Sequence, residues 1–287
     1  MCRFVLYLGP EITVSSLVTE PVNSLIHQSF HSHEGTEPLN GDGFGVAWYV
    51  PAISEVPALF KDITPAWNNL NLLNLARVTR SSCLLAHVRA ASPGLPVIQL
   101  NCHPFVQGPF AFMHNGRIGG FRSLRRALAD RLSDSAFNAI SGSTDSEYLF
   151  ALFLDNFNRL NGANDGSAAM AEALAASINE VEQLKKEAGV EEPSTLNLAV
   201  TDGRGAAVSR YISRGDERAN SLYLHRGAEY TCRTGRCLME AADRGRGAVL
   251  IASEPLSEDE GWRAVPPNSM VITGSDLQVT TVSLDSR

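Results

Sequence analysis

The chain has 287 residues, of which 44% are hydrophobic and 19% are charged, so it is long and apolar enough to bury a substantial core. A net charge of -7, with no long run of Lys or Arg, argues against nucleic acid or an anionic membrane as a partner. No apolar stretch is long enough to span a bilayer and no signal sequence is recognisable. We therefore expect a cytoplasmic protein whose five cysteines are reduced.

Short apolar runs separated by turn residues predict β-strands in the first part of the chain, over Cys2 to Leu8, Gly45 to Val50, Cys83 to Val88 and Phe110 to His114. Helical spacing of apolar residues then predicts four helices, over Ala66 to Arg80, over Phe121 to Leu132, from Thr144 or Asp145 onward, and over Ala168 to Lys186. The remainder returns to strands, over Leu196 to Thr201, Ala206 to Ile212, Ser221 to His225, Ala248 to Ala252, Met270 to Thr273 and Gln278 to Val282.

This succession of strands, helices and strands predicts sheets with helices packed outside them. No repeat, low-complexity tract or linker marks a domain boundary, and the polar stretch Ser213 to Asn220 is better interpreted as a long hairpin loop. We expect a single domain over residues 1–287.

The second residue of the chain is a cysteine. If Met1 is removed by ordinary processing, Cys2 carries a thiol and a free α-amine on the same carbon, so that one residue supplies both nucleophile and base. A cysteine at this place is otherwise a small, half-buried apolar residue of the first strand.

Polar clusters at the ends of predicted strands and the start of a helix contain further candidates. Arg89 follows an apolar strand, where a guanidinium can bind a carboxylate or form a structural ion pair. Asp145 can bind an ammonium or simply cap its helix. Asn115 and Gly116 form either a tight turn or an oxyanion hole made of a side-chain amide and a backbone N–H.

Histidines and two further cysteines leave a metal site open as an alternative. His27 and His31 are four residues apart and His33 is nearby, yet this spacing is not a recognised zinc signature. Cys232 and Cys237 are compatible with a metal clip or a disulfide, although free thiols fit better. We expect no metal and no cofactor.

Six motifs follow one another along the chain: MCRF, NGDGFGVAWY, AHVRAAS, NCHPF, FMHNG and STDSE. This ordered set resembles the class II glutamine amidotransferase family of N-terminal-nucleophile hydrolases, and the resemblance continues to VPPNSM, over nearly the whole chain. It implies the α+β class and a four-layer αββα sandwich, in which two antiparallel sheets stack between helical layers.

The resemblance also implies roles for individual residues. Cys2 matches the nucleophile, and Asn115 and Gly116 match the oxyanion donors. Arg89 matches the group that binds the α-carboxylate of a glutamyl substrate, and Asp145 the group that binds its α-ammonium. His87, Ser92 and His103 match family positions that support the substrate site.

Within the family the chain is most similar to amidotransferase-like subunits of fungal glutathione degradation, and more distantly to γ-glutamyl hydrolases of ergothioneine synthesis. This implies a small-molecule γ-glutamyl substrate, such as glutathione or a γ-glutamyl-cysteine conjugate, and a metallopeptidase-like partner subunit. Two alternatives stay open: a glutaminase subunit that supplies ammonia to a separate synthase, and a non-catalytic regulatory subunit that retains only the fold.

Overall fold

Two antiparallel β-sheets stack face to face, and helices cover both of their outer faces. The computed structural model describes residues 2–34, 39–92, 94–160, 166–213, 219–233, 236–240 and 247–284. The arrangement confirms the predicted four-layer αββα sandwich of the α+β class.

The first sheet has seven strands in the spatial order β13-β9-β12-β1-β4-β2-β3. In chain order they are β1 (Arg3–Thr13), β2 (Phe44–Val50), β3 (Ser54–Asp62), β4 (Arg80–Val88), β9 (Tyr223–Gly227), β12 (Ala248–Ala252) and β13 (Arg263–Ala264). The second sheet has six strands in the order β15-β14-β8-β7-β6-β5. These are β5 (Phe105–Gln107), β6 (Phe110–Arg117), β7 (Thr195–Thr201), β8 (Ala206–Ile212), β14 (Ser269–Thr273) and β15 (Val279–Ser283).

Helices lie on each outer face. Three short helices pack on the first sheet: α1 (Ser15–Val18), α2 (Leu25–Phe30) and α3 (Leu70–Val78). The second sheet is covered by α4 (Phe121–Arg131), α6 (Asp145–Arg159) and α7 (Gly166–Glu187), and the short α5 (Asp134–Asn138) packs against α6. Single 3₁₀ turns occur at Ala66–Asn68 and Gln99–Asn101. Within the described ranges, no helix combines the length and the apolar composition needed to cross a membrane.

The two-residue period of the strands decides which side chains enter the space between the sheets. In β1, Val5 and Tyr7 face the helices, whereas Phe4 and Leu6 pack between the sheets. Cys2 precedes Phe4 by two residues, so its side chain lies on the inner side of the sheet. The same period puts His87 and Arg89 at the inner side of the end of β4.

The predicted strands and helices occur in the predicted order, with three notable differences. The helix expected over Ala66 to Arg80 begins only at Leu70, because the Asn69 side chain accepts a hydrogen bond from Leu72 N and caps it there. β1 continues past Leu8 to Thr13 through an irregularity in its pairing with β4. The strands β3, β5 and β13, the hairpin β10 (Tyr230–Arg233) and β11 (Arg236–Met239), and the helices α1, α2 and α5 were not predicted.

The expectation that all cysteines are reduced was wrong for one pair. Cys232 and Cys237 lie directly opposite each other in the register of β10 and β11 and form a disulfide. Cys2, Cys83 and Cys102 are free thiols. Two sequence-based expectations concern segments partly outside the described residues: the removal of Met1, and the hairpin loop over Ser213 to Asn220, of which residues 214–218 are not described.

Candidate active site

Cys2 lies directly ahead of β1 and is half-buried. Because Arg3 pairs with Val88, the antiparallel register brings Cys2 beside the residues that follow β4. Its Sγ lies 3.4 Å from Ala90 N and 3.5 Å from Ala90 O. Burial raises the pKa of the thiol above its usual value of 9.0, and the hydrogen bond from Ala90 N only partly opposes this. The resting thiol is therefore protonated at neutral pH and needs a base to become a nucleophile.

Arg89 is the first residue after β4, and only 3% of its surface is exposed. Its Nη1 and Nη2 atoms each lie 3.4 Å from a backbone carbonyl oxygen, those of Asp42 and Pro96. Among the residues that the structure describes, no Asp or Glu carboxylate forms an ion pair with it, so the alternative of a structural ion pair with a helix is not supported. A buried cation without a carboxylate is costly and suggests an anionic ligand.

Asp145 is the first residue of α6 and does not cap it. The cap is Thr144, whose Oγ1 accepts a hydrogen bond from Glu147 N. The Asp145 carboxylate accepts a 2.8 Å hydrogen bond from Ile118 N, in the segment that follows β6. A carboxylate held in this way has the chemistry required to bind an ammonium group.

The segments that contain Arg89 and Asp145 are joined by Asn101, which is fully buried. Asn101 Nδ2 donates to Pro96 O at 3.0 Å, the same carbonyl that accepts from Arg89. Its Oδ1 accepts from Ser143 N at 3.0 Å, two residues ahead of Asp145. Sequence reasoning placed Asn101 in a polar cluster but assigned it no role. In the structure its two hydrogen bonds connect the segments that contain Arg89 and Asp145.

Asn115 and Gly116 lie inside β6, opposite Asn197 and Leu196 of β7, so the alternative of a tight turn is wrong. Gly116 has φ = 138°, and a side chain there would collide with the carbonyl oxygen of Thr195. Asn115 is fully buried between the sheets. Its Nδ2 donates to Ser253 Oγ at 3.2 Å, while its Oδ1 has no hydrogen-bond partner in the described part of the chain.

The remaining candidates, His87, His103 and Ser92, differ in burial. The rings of His87 and His103 stack with their centroids 4.3 Å apart, and both are buried. Burial lowers the pKa of His87 to about 3 and that of His103 well below 6.5, so neither ring carries a charge at neutral pH. Ser92 is exposed, and its side chain makes no hydrogen bond to the other candidates among the residues described.

A buried ion pair next to Cys2 was not recognised from the sequence. Arg3 Nε lies 2.7 Å from Glu254 Oε1, with both side chains 1% exposed, and Arg3 Nη1 donates to the carbonyl oxygen of Cys2 at 2.9 Å. Glu254 also accepts from Ser32 Oγ and His33 N. Burial would raise the pKa of Glu254, but the hydrogen bond from Ser32 and the charge of Arg3 outweigh it and lower this pKa below 4.5. The sequence did indicate Glu254 as a candidate, because it is a charged residue that follows a predicted buried strand, just as Arg89 does.

The histidines considered as metal ligands do lie near one another. The ring centroids of His27, His31 and His33 are 5.0 to 6.4 Å apart. In the described part of the chain, however, no group of three or more His, Cys, Asp or Glu side chains is arranged to hold a metal ion.

Comparison with known proteins shows the family of the chain. Residues 14–214 match the family model described as glutamine amidotransferases class-II. The chain belongs to this family. As a class II glutamine amidotransferase it is a hydrolytic enzyme, and the sandwich described above is the fold of the N-terminal-nucleophile hydrolases.

Among other class II glutamine amidotransferases and related hydrolases, the chain is 42% identical to the probable glutamine amidotransferase DUG3 of Saccharomyces cerevisiae, over 94% of this chain and 81% of that protein. It is 29% identical to the γ-glutamyl-hercynylcysteine sulfoxide hydrolase of Mycobacterium tuberculosis, over 99% of this chain and 97% of that one. A solved class II domain protein from Silicibacter pomeroyi superimposes with a TM-score of 0.66 at 25% identity and covers 98% of this chain and 99% of its own.

Proposed function

We propose that the protein hydrolyses the γ-glutamyl amide bond of a small thiol-containing substrate, glutathione or a γ-glutamyl-cysteine conjugate, and releases glutamate. The observation that carries this proposal is Arg89, a buried guanidinium without a carboxylate partner in the described residues, beside the half-buried thiol of Cys2. A substrate carboxylate would supply the missing negative charge through a two-pronged contact.

The charges of the site complement the α-amino acid end of a glutamyl group. Arg89 would bind the α-carboxylate, and Asp145, at the N-terminus of α6, would bind the α-ammonium. Asn101 connects the two segments through Pro96 O and Ser143 N, which supports a fixed distance between the two charges. A glutamyl group carries both of these charges on its α-carbon, and binding in this way would leave its γ-carbonyl free to reach Cys2.

The reaction follows from the resting state of the thiol. Its raised pKa keeps the proton on sulfur, so the free α-amine of Cys2, exposed once Met1 is removed, accepts that proton through water. The sulfur then attacks the γ-carbonyl carbon, and Asn115 Nδ2 and Gly116 N donate to the oxyanion. The C–N bond breaks as the leaving amine takes up the proton, leaving a γ-glutamyl thioester. Water hydrolyses the thioester, releases glutamate and restores the thiol.

His87, His103 and Ser92 support this site without reacting. Since both rings are neutral and buried, they act as packing for the inner side of β4. Ser92 is exposed and follows Arg89 by three residues.

The choice of substrate class is supported by the relatives. The mycobacterial relatives are named as hydrolases of γ-glutamyl-hercynylcysteine sulfoxide, a γ-glutamyl compound. By its resemblance to the fungal subunits, the protein would work with a metallopeptidase-like partner subunit. A second candidate, a glutaminase that supplies ammonia to a separate synthase, is favoured by the family match itself.

The test is mass spectrometry of products from the purified protein, with the N-terminus confirmed as Cys2, incubated separately with glutathione, glutamine and a γ-glutamyl sulfoxide conjugate. We expect glutamate and a Cys-Gly product from glutathione, and neither from Cys2→Ala. Ammonia from glutamine without cleavage of the γ-glutamyl thiols would favour the glutaminase function instead. No product from any of the three would contradict hydrolysis by this chain.

A further inference from the structure

Ser253 occupies a position that joins the two halves of the proposed site. It is the first residue after β12 and is fully buried. Its backbone N donates to Phe4 O at 3.0 Å, and its Oγ accepts from Phe4 N, also at 3.0 Å. The pairing of β12 with β1 thus extends one residue further toward Cys2, with a hydroxyl in place of a backbone carbonyl.

The same hydroxyl reaches the opposite sheet. Ser253 Oγ accepts from Asn115 Nδ2 at 3.2 Å, so one oxygen atom connects β1, in the first sheet, with the proposed oxyanion donor on β6, in the second. Asn115 Oδ1 has no partner among the described residues, and therefore this contact is what orients the amide group of the side chain. With one N–H directed at Ser253, the second N–H of the planar amide is held in a defined direction.

A link of this kind is needed because Cys2 and Asn115 come from different sheets. The layer between the sheets is held mainly by apolar side chains such as Phe4, Leu6 and Met113, and such contacts are not directional. A hydrogen bond, in contrast, depends steeply on distance and angle. An oxyanion donor must be held to within a fraction of an ångström of its place to stabilise the transition state.

We propose that Ser253 is a positioning residue that aligns the amide of Asn115 with the thiol of Cys2 across the two sheets. This inference rests on the proposed function, since it assigns the reason for which Asn115 can serve as an oxyanion donor. Ser253 does not touch the substrate. Its effect on kcat is exerted through Asn115, while its hydrogen bonds with Phe4 hold it in place.

The test compares steady-state kinetics of the wild type and Ser253→Ala, in the full chain with Cys2 exposed. Removing an oxyanion donor outright costs about 10²- to 10³-fold in kcat, so loss of its anchor should cost about 10- to 100-fold, with KM changed less than about twofold. Alkylation of Cys2 by iodoacetamide, which forms no oxyanion, should keep its wild-type rate. A matched control is Ser81→Ala, which removes another buried hydroxyl from the same sheet and should leave kcat unchanged.

A double-mutant cycle with Asn115→Ala separates a positioning role from a general structural one. If Ser253 acts through Asn115, Ser253→Ala should cause no further loss of kcat in the Asn115→Ala background. Equal losses in both backgrounds would overturn the inference, and so would a wild-type kcat in Ser253→Ala. Should Ser253→Ala unfold, Ser253→Cys keeps the size of the side chain with a weaker acceptor and gives the same test. A wild-type protein without any γ-glutamyl hydrolysis would instead contradict the proposed function.

Discussion

The space between the sheets has two ends, one at Cys2 and a far end at the start of β4. Both contain buried polar residues, but the ends differ in how many of these residues have hydrogen-bond partners. At the end away from Cys2, Tyr49 Oη lies 2.8 Å from Pro109 O and 3.0 Å from Thr201 O. Ser81 Oγ lies 2.7 Å from Tyr49 O and accepts from Cys83 N. Thr201 Oγ1 donates to Gly205 O. Each of these side chains is paired with the backbone of a neighbouring strand or turn.

At the Cys2 end, several buried polar atoms have no such partner among the residues described. They include both ring nitrogens of His103 and the Oδ1 atoms of Asn115 and Asn197. Arg89 is buried there without a carboxylate, whereas the ion pair of Arg80 with Glu11, at the far end, is exposed to solvent. At the far end, Thr273 Oγ1 is also buried without a partner among the residues described. Since buried polar groups in folded proteins are normally paired, the larger number of unpaired atoms at the Cys2 end suggests that this end binds a ligand.

The largest expected difference between the ends lies in their free thiols. Cys2→Ala should lower turnover of the γ-glutamyl substrate by about 10⁴-fold or more, because no other group can form the thioester. Cys83, which is fully buried at the far end, has its pKa raised to about 12 mainly by burial and cannot react. Cys83→Ala should keep kcat within about twofold of the wild type. Glutamate release, measured for both variants, checks the contrast, and equal activity of the two would contradict the assignment of Cys2.

Arg89→Met is expected to separate binding from stability. Loss of a charged two-pronged contact should raise KM by about 10²-fold. The same change removes a buried charge that has no carboxylate partner in the described residues, so the melting temperature should stay the same or rise. KM and thermal unfolding, measured side by side, check both effects. Arg126→Met, on the exposed face of α4, serves as a control that should change neither. A marked loss of stability in Arg89→Met would indicate a structural role instead.

The buried ion pair of Arg3 with Glu254 should make the Cys2 end sensitive to acid. A carboxylate whose pKa is lower in the folded than in the unfolded state adds stability above its unfolded pKa, near 4.5, and loses it as the pH falls through the lower folded value. Glu254→Gln removes the carboxylate that pairs with the buried Arg3, which should cost about 3 kcal/mol of unfolding free energy near neutral pH.

Because the mutant lacks this titration, its stability should fall less than that of the wild type between pH 5 and pH 3. Urea unfolding at several pH values measures the difference. Glu11→Gln, which removes the exposed partner of Arg80, should change stability by less than about 1 kcal/mol. If both variants lost the same small amount, the buried pair would contribute no more than a surface pair.

The smallest effect is expected at the far end. Ser81→Ala removes a hydroxyl that lies near the backbone of Tyr49 and Cys83, and should cost about 1 to 2 kcal/mol of stability by leaving those groups unsatisfied. It should not change kcat or KM, since it lies at the opposite end of β4 from Arg89. Chemical denaturation and kinetics of the same preparation check this. A loss of activity in the folded variant would show that the two ends are not independent.

Strands with a clear apolar pattern could be predicted closely. Those over Ala206–Ile212 and Ala248–Ala252 have the predicted bounds, because apolar residues mark both of their ends. β3 was missed since it is largely exposed and contains Pro57, so its sequence has no strand periodicity. The disulfide of Cys232 with Cys237 was missed because it depends on the register of a hairpin that was itself not predicted.

The sequence by itself determined the family and the fold class, through the order of its motifs. The same motifs gave the candidates Cys2, Arg89, Asn115, Gly116 and Asp145. Local signals sufficed for these, because each candidate lies at or near the end of an apolar strand or the start of an amphipathic helix. Only the tertiary structure decided the contacts of Ser253 with Asn115 and of Glu254 with Arg3, which join residues 138 and 251 positions apart. Such pairings depend on how two sheets pack against each other, and this geometry is set by the sum of many non-directional apolar contacts rather than by any local pattern.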